Sequence, residues 1–218
     1  MKKVFFGGSF DPPHHGHLGI AKAALASGRC DEVVWFPAAS PPHKLNARRA
    51  PFADRMNMVQ LLIKDEPGMS VSDFENRSGL NPSYTIDVLN KLERETGIRY
   101  TLLIGADSLL SLHTWHRAKE LVASTGFIIY PRAGAEVSLE KLQDIWGKQT
   151  AEKLFSSMLD GTFFEISSTE MKISMEKSDF RHNIISSAVF PAEIAAYIHE
   201  HRLYNCNDDQ ERNIHGSE

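Results

Sequence analysis

Three histidines, His14, His15 and His17, crowd around one glycine in the stretch FGGSFDPPHHGHLG, residues 6–19. Imidazoles at this density can bind a metal, hold a phosphate, or do no more than cap a helix. Gly7 and Gly8 close a short apolar run, KVFFG (3–7), and precede a helical pattern. Glycines at such a turn let the backbone approach a ligand with its N–H groups pointing inward. The helix start adds partial positive charge and unbonded donors. His14 and His17, three residues apart, can share one face of that helix, and Gly16 between them leaves room for a ligand. A zinc site needs further ligands; Asp11 is the only close candidate, and Cys30 and Cys206 stand at no metal-ligand spacing. A lone histidine here would read as a surface cap. The His-x-Gly-His spacing directly after a strand and a Gly-Gly turn favours a phosphate site over both other readings.

Further out, the chain carries other short motifs whose residues are ambiguous one at a time. Lys44 in SPPHK (40–44) sits in a Pro-rich loop, where a single lysine is ordinarily solvated. Arg48, Arg49 and Arg55 add local positive charge and are expected to be mostly solvated. NPSYT (81–85) opens a helical pattern with Pro82 in its first turn, and Ser83 and Thr85 could cap it. Asp107, in GAD at a strand end, could cap the following SLLSL helix. Trp115 in HTW would more often be core, and the hydroxyls of ISST (166–169) would usually cap a helix.

The elements that must position these residues alternate in type. Strands are expected at 3–7, 32–38, 69–75, 100–107 and 126–131. Helices are expected at 17–28, 52–65, 81–97 and 116–124, with Met56, Val59, Leu62 and Ile63 on the buried face of the second. This alternation predicts an α/β fold: a Rossmann-like open, mostly parallel sheet with helices on both faces. Ligands in such sheets bind outside the carboxyl ends of the strands. The unusual residues follow strands, at 7–17, 39–44 and 105–108. Past 131 the pattern changes. Residues 138–159 read as helical, with Leu142, Ile145, Trp146, Leu154, Phe155, Met158 and Leu159 available to bury. A short strand is expected at 162–167 and an amphipathic helix at 191–204. A single domain over 1–204 follows, with a helical insertion at 133–160, a small helical C-terminal part at 161–204, and a polar tail at 205–218.

Composition narrows the class. The 218 residues are 42% hydrophobic and 24% charged, with a formal net charge of −4. Those proportions suit an ordinary globular protein, and no global basic field argues for nucleic acid or an anionic membrane. No stretch approaches the roughly 20 apolar residues needed to span a bilayer. Glycines and an aspartate interrupt the N-terminus before a signal-peptide core could form. Two distant cysteines suggest a reducing compartment, so a cytoplasmic location is expected.

Taken together and in order, GGSFDPPHHGH, SPPHK, NPSYTIDVL, IGADSLLSLHTW, ISST and YIHEHRLY resemble the HxGH nucleotidyltransferases, whose fold is shared with class I aminoacyl-tRNA synthetases. Within that superfamily the set looks like the nicotinate mononucleotide adenylyltransferases. The resemblance implies transfer of AMP from ATP to nicotinate mononucleotide, giving deamido-NAD and pyrophosphate in NAD biosynthesis, with Mg²⁺ accompanying ATP. It implies catalytic roles for His14, His17 and Lys44. ATP would be held by Gly7, Gly8, Ser9, Phe10, His14, His17, Asp107 (through a ribose hydroxyl), Ile166, Ser167, Ser168, Thr169 and Lys172. The mononucleotide would be held by Gly8, Ser9, Lys44, Tyr84, Thr85 and Trp115, the last stacked on the pyridine ring. The free N–H groups near Tyr84 and Thr85 would favour a carboxylate over a carboxamide. Lys172 stands where the family commonly has Arg, and keeps the charge without the bidentate fork. No resident metal, nucleic acid or membrane is implied; partners are the two substrates and, at most, further copies of the chain. The alternatives are an acceptor of another kind (nicotinamide mononucleotide or pantetheine phosphate), a non-catalytic nucleotide-binding relative, and a zinc hydrolase built on the histidine cluster.

Overall fold

Apolar residues fill both alternating positions of the strand-forming runs, and this decides the architecture. In β1 (Lys3–Gly8), Val4 and Phe6 face one side and Phe5 the other. In β2 (Glu32–Pro37), Val33 and Trp35 oppose Val34 and Phe36 in the same way. Strands apolar on both faces must be covered on both, which in practice means a parallel sheet between helical layers. A computed structural model describes residues 1–40, 49–160 and 191–204 of the chain. Among them, β3 (Met69–Val71), β4 (Tyr100–Gly105) and β5 (Gly126–Tyr130) join the first two strands in the order β3-β2-β1-β4-β5. Every pairing is parallel, with Lys3 opposite Glu32 on one flank of β1 and Tyr100 on the other.

One helical layer comprises α1 (His15–Ala26) and α2 (Phe52–Ile63), followed by α9 (Ala192–Glu200). It buries Leu18, Ala21, Met58, Val59, Ile194 and Ile198 against Trp35 and its neighbours. The other layer comprises α3 (Phe74–Arg77), α4 (Thr85–Thr96), α5 (Ala106–Ser111), α6 (Ala118–Ser124), α7 (Leu139–Trp146) and α8 (Lys148–Ser156). Phe74, Ile86, Leu89, Leu109, Leu121 and Leu154 close that side over Phe5 and Phe36. α4 stops where expected, at Gly97, whose φ of 71° is the left-handed conformation of a helix C-terminus. The order runs one way from β1 through β2 to β3 and restarts beside β1 with β4. The carboxyl ends of β1 and β4 therefore flank a crevice at the switch point, where open parallel sheets place their ligands.

Several expectations need correction. The strand expected at 69–75 ends at Val71, because the chain turns into α3 at Phe74. The helix expected from 81 starts at Thr85; Pro82 precedes it, in a cis peptide with Asn81, and is not in its first turn. The run 138–159 is two helices broken at Gly147, whose φ is 76°. Leu142 and Leu154 are buried there, whereas Ile145 and Phe155 are exposed. On α2 the buried stripe is Arg55, Met58, Val59, Leu62 and Ile63, and Met56 is half-exposed. The strand expected at 162–167 and the tail 205–218 lie outside the described residues. Among the described residues no helix is long and apolar enough to cross a membrane.

Candidate active site

The histidines sit at the carboxyl end of β1, on the side of the sheet that α1 covers. His14 is the N-cap of α1, and its Nδ1 accepts the backbone N–H of His17 at 3.3 Å. That contact leaves the His14 proton on Nε2. The two imidazoles lie face to face, with ring centroids 3.7 Å apart. His14 is buried, and burial, helped by the charge of Arg132, lowers its pKa to about 4. His17 is half-buried, with its Nδ1 enclosed and without a hydrogen-bond partner among the described residues. Burial and the neighbouring His14 and Arg132 lower its pKa as well. Both rings are thus neutral at pH 7, so they act as hydrogen-bond donors rather than fixed cations until an anion arrives. A polyphosphate would stabilise their protonated forms and draw charge to itself.

Phe10 shapes the floor of this half-site. Its φ of 45° lies in the left-handed region, which costs a non-glycine residue about 1–2 kcal/mol. Packing offsets that cost. The ring is 1% exposed and lies edge-on or tilted to Phe6, Trp35 and His17, with centroids 5.3, 5.0 and 5.1 Å away. Burying a large apolar side chain is worth roughly 1.5–3 kcal/mol, enough to hold the strained residue in place.

The loop from Ser9 to Pro13 is clamped from the opposite direction. Arg55 is buried on α2 and donates from Nη1 to the Ser9 carbonyl (2.8 Å) and from Nε to the Ala50 carbonyl (3.1 Å). Asp11, also buried, accepts the Ala50 N–H at 3.1 Å and the Tyr204 hydroxyl at 2.7 Å, both at Oδ1. Burial and the Asp11 carboxylate push the Tyr204 pKa far upward, so the phenol remains a donor at every working pH. Arg55 was expected in solvent; it is instead the buried cation that orders the loop. Arg49 is half-buried rather than solvated, with Nη1 enclosed.

On the other side of Gly7 and Gly8 opens a cavity of about 170 Å³. Phe5, Leu102 and Ile104 form its floor; Tyr84, Thr85, Trp115, His116, Glu75 and Ser83 form its walls. Tyr84 stacks on His116 with centroids 4.1 Å apart. No side chain caps α4 at Tyr84, so the first amides of that helix keep their hydrogen-bonding capacity beside the cavity. Glu75 is 6% exposed, and its Oε2 accepts the Ser83 hydroxyl (2.8 Å) and the Ala39 N–H (3.2 Å). Burial raises its pKa to about 7, against the opposing pull of those two donors and of Arg55.

Asp107 does not cap α5 but lies in its first turn; Gly105 occupies the cap position. Its Oδ2 pairs with Arg132 at 3.1 Å, and the chain there leaves the carboxyl end of β5. Arg132 therefore brings a charge into the crevice near both histidines.

Of the residues singled out from sequence, Gly7, Gly8, Tyr84, Thr85 and Trp115 line the cavity, Phe10, His14 and His17 pack together on the α1 side, and Ser9 and Asp107 are tied to Arg55 and Arg132. Lys44, Ile166, Ser167, Ser168, Thr169 and Lys172 lie outside the described residues. Sequence reading missed Glu75, Arg55, His116 and Arg132. Two of these carried a signal: Arg132 follows a strand carboxyl end, and Arg55 falls on the i, i+3, i+4, i+7 stripe with Met58, Val59 and Leu62. Among the described residues no group of three or more His, Cys, Asp or Glu could hold a metal ion.

The cytidylyltransferase-like family matches residues 5–187. A Synechococcus sp. (strain JA-3-3Ab) protein named "probable nicotinate-nucleotide adenylyltransferase" is 36% identical over 199 residues, spanning 91% of this chain and 92% of that one. A Desulfotalea psychrophila protein of the same name is 33% identical over 217 residues, covering 94% and 100%. Among solved structures, the Plasmodium falciparum nicotinic acid mononucleotide adenylyltransferase complexed with NaAD superposes with a TM-score of 0.73, over 94% of this chain and 98% of that one. Its 20% identity speaks for the shared fold. On the strength of the relatives that share both length and sequence, the chain belongs to the cytidylyltransferase-like family, among the nicotinate-nucleotide adenylyltransferases.

Proposed function

We infer that the protein transfers the adenylyl group of ATP to nicotinate mononucleotide, forming nicotinate adenine dinucleotide and releasing pyrophosphate in NAD biosynthesis. The observation that carries this reading is the division of the crevice. A neutral, donor-bearing histidine pair lies on one side of Gly7 and Gly8, and an apolar aromatic cavity sized for a heteroaromatic ring lies on the other. Two different ligands can thus meet over a stretch of backbone that no side chain obstructs.

The reaction forms a bond between a phosphate oxygen of the mononucleotide and the α-phosphorus of ATP. The bond from that phosphorus to the bridging oxygen breaks, and pyrophosphate leaves with the electron pair. The attacking oxygen is already ionised near neutral pH, so no general base is needed. Alignment and charge stabilisation supply the acceleration. In this reading His14 and His17 donate to the ATP phosphates, with His17 nearest the reacting phosphorus. Asp107 receives a ribose hydroxyl, and Lys44 and the 166–172 segment complete the phosphate contacts. Trp115 stacks on the pyridine ring, and the α4 amides receive its carboxylate. Mg²⁺ would come with ATP as part of that substrate and would partly neutralise its charge; the site's donors among the described residues, imidazoles and an Arg-paired carboxylate, suit a metal carried by the nucleotide. Nucleotide substrates and the buried free thiol of Cys30 fit a cytoplasmic enzyme.

The test is pyrophosphate release from Mg-ATP with nicotinate mononucleotide, run beside nicotinamide mononucleotide and beside His17→Ala. Release with the acid, much less with the amide, and a loss of at least about 100-fold in the variant are expected, the scale for removing a donor aimed at developing charge. ATP binding without release from either acceptor would refute the reading.

A further inference from the structure

Glu75 differs from the rest of the cavity wall. It is the one carboxyl group among the described lining residues, it is more than nine-tenths buried, and the four-residue helix that carries it has no part in the histidine site. Its Oε2 is fully occupied by Ser83 and Ala39. Its Oε1 has no hydrogen-bond partner among the described residues. The Ser83 link also fixes where this group stands. The Ser83 N–H donates to the Ser40 carbonyl at 3.0 Å, and the Ser40 hydroxyl to Asn81 Oδ1 at 2.7 Å. Glu75 is therefore stapled to the segment immediately before α4, whose open amides line the same cavity.

We propose that Glu75 is a specificity-determining residue of the acceptor pocket, its Oε1 reading the substituent on the pyridine ring next to the α4 amides. The proposal rests on the adenylyl-transfer reading above and adds to it a group that discriminates acid from amide. As a neutral acid, Glu75 donates its proton in a hydrogen bond to a ring carboxylate. As a carboxylate, it repels that group and accepts from the N–H of a ring carboxamide. Both forms are accessible, since burial brings its pKa to about 7. The groups around it are Arg55 on α2, which favours the ionised form, the Ala39 N–H after β2, Ser83 and Tyr84 before α4, and His116 on the cavity wall. His116 is the other titratable side chain that could impose a pH dependence from inside the pocket, and it must be tested in parallel.

The measurement is the ratio of kcat/KM for nicotinate mononucleotide to that for nicotinamide mononucleotide, taken across pH at saturating Mg-ATP. Titration of the acceptor phosphate and of His14 and His17 acts on both substrates alike and divides out of this ratio. With a pKa of about 7 at Glu75, the neutral fraction falls about tenfold between about pH 6 and pH 8 while the ionised fraction rises about tenfold. The ratio therefore falls by about tenfold if only the acid senses the change and by about 100-fold if the amide gains as well. Glu75→Gln keeps an acceptor for Ser83 and Ala39 and presents a permanent donor, so the expected ratio in that variant is acid-favouring and flat. His116→Asn is expected to keep the slope. A flat ratio in the parent protein, an unchanged slope in Glu75→Gln, or a slope abolished by His116→Asn would each overturn the proposal while leaving adenylyl transfer intact. Absence of pyrophosphate release with either acceptor removes the adenylyl-transfer reading itself, and this proposal with it.

Discussion

Removing one oxygen atom, with Tyr204→Phe, tests whether the phosphate-side loop is held by a residue almost two hundred positions away. The Tyr204 hydroxyl donates to Asp11 Oδ1 at 2.7 Å across a sequence separation of 193. Asp11 is 3% exposed, so water cannot easily replace the lost donor. A buried hydrogen bond to a charged acceptor is worth about 1.5–3 kcal/mol. In a chain of this size each kcal/mol moves Tm by roughly 2–4 °C, so the variant should melt roughly 3–12 °C lower. Phe keeps the ring, which packs on the α1–α2 side of the core, so loss of apolar contact does not confuse the result. The functional effect should be one-sided. Asp11 and Arg55 order the loop that joins Gly8 to His14, so KM for ATP rises, while KM for the acceptor, whose cavity lies on the other face, moves little. Thermal unfolding and steady-state kinetics on the variant, with a double-mutant cycle through Asp11→Ala, measure both effects. An unchanged Tm, or strictly additive losses in the cycle, would show that the bond carries no coupling energy and refute the reasoning.

Two further outcomes follow from the same half-site. A Cβ added at Gly8 would stand 2.9 Å from Cε1 and Cζ of Phe10, whose ring is enclosed and cannot step aside; Gly8→Ala should therefore lose about 1–3 kcal/mol in urea unfolding and weaken ATP binding. His14 titrates at about 4 when folded against an ordinary 6.5, so the unfolded chain takes up the proton first as pH falls. Its contribution is complete above about pH 6.5 and is lost progressively down to about pH 4, costing about 2 kcal/mol between pH 7 and pH 5. His14→Asn keeps a good helix cap that does not titrate, so its unfolding free energy should fall less over that interval; an identical fall in both proteins would count against a buried neutral His14.

Local chemistry was the readable part of this molecule. His14 and His17 could be brought together from their spacing, because the side chain of a helix N-cap reaches the amide three residues on. The site's location followed from strand order, since unusual residues clustered after strands. Where local pattern and tertiary context competed, context prevailed. Glu75 ended a stretch that alternates like a strand, and nothing in that stretch announces that the chain turns inward after Val71. Arginines are usually solvated, so residue type pointed Arg55 outward while its place on the apolar stripe of α2 pointed it inward, and the stripe prevailed. Asp11 and Tyr204 could not be paired from sequence at all. Each is unremarkable in its own neighbourhood, and the bond between them exists only once α9 has docked. The bend at Gly147 likewise needed the left-handed backbone to be seen before two helices replaced one.

The Asp11–Tyr204 bond also sets an order of events during synthesis. The loop bearing His14 and His17 is among the first segments made, whereas its hydroxyl partner follows 193 residues later. At ~5–20 residues per second, the ribosome needs on the order of 10–40 s to deliver it. Once Tyr130 is made all five strands of the sheet can pair, and Asp11 already has the Ala50 N–H to accept, while the Tyr204 hydroxyl is still to come. A nascent chain thus owns a nucleotide-binding crevice well before it owns a rigid one, and nucleotide binding matures last, with α9.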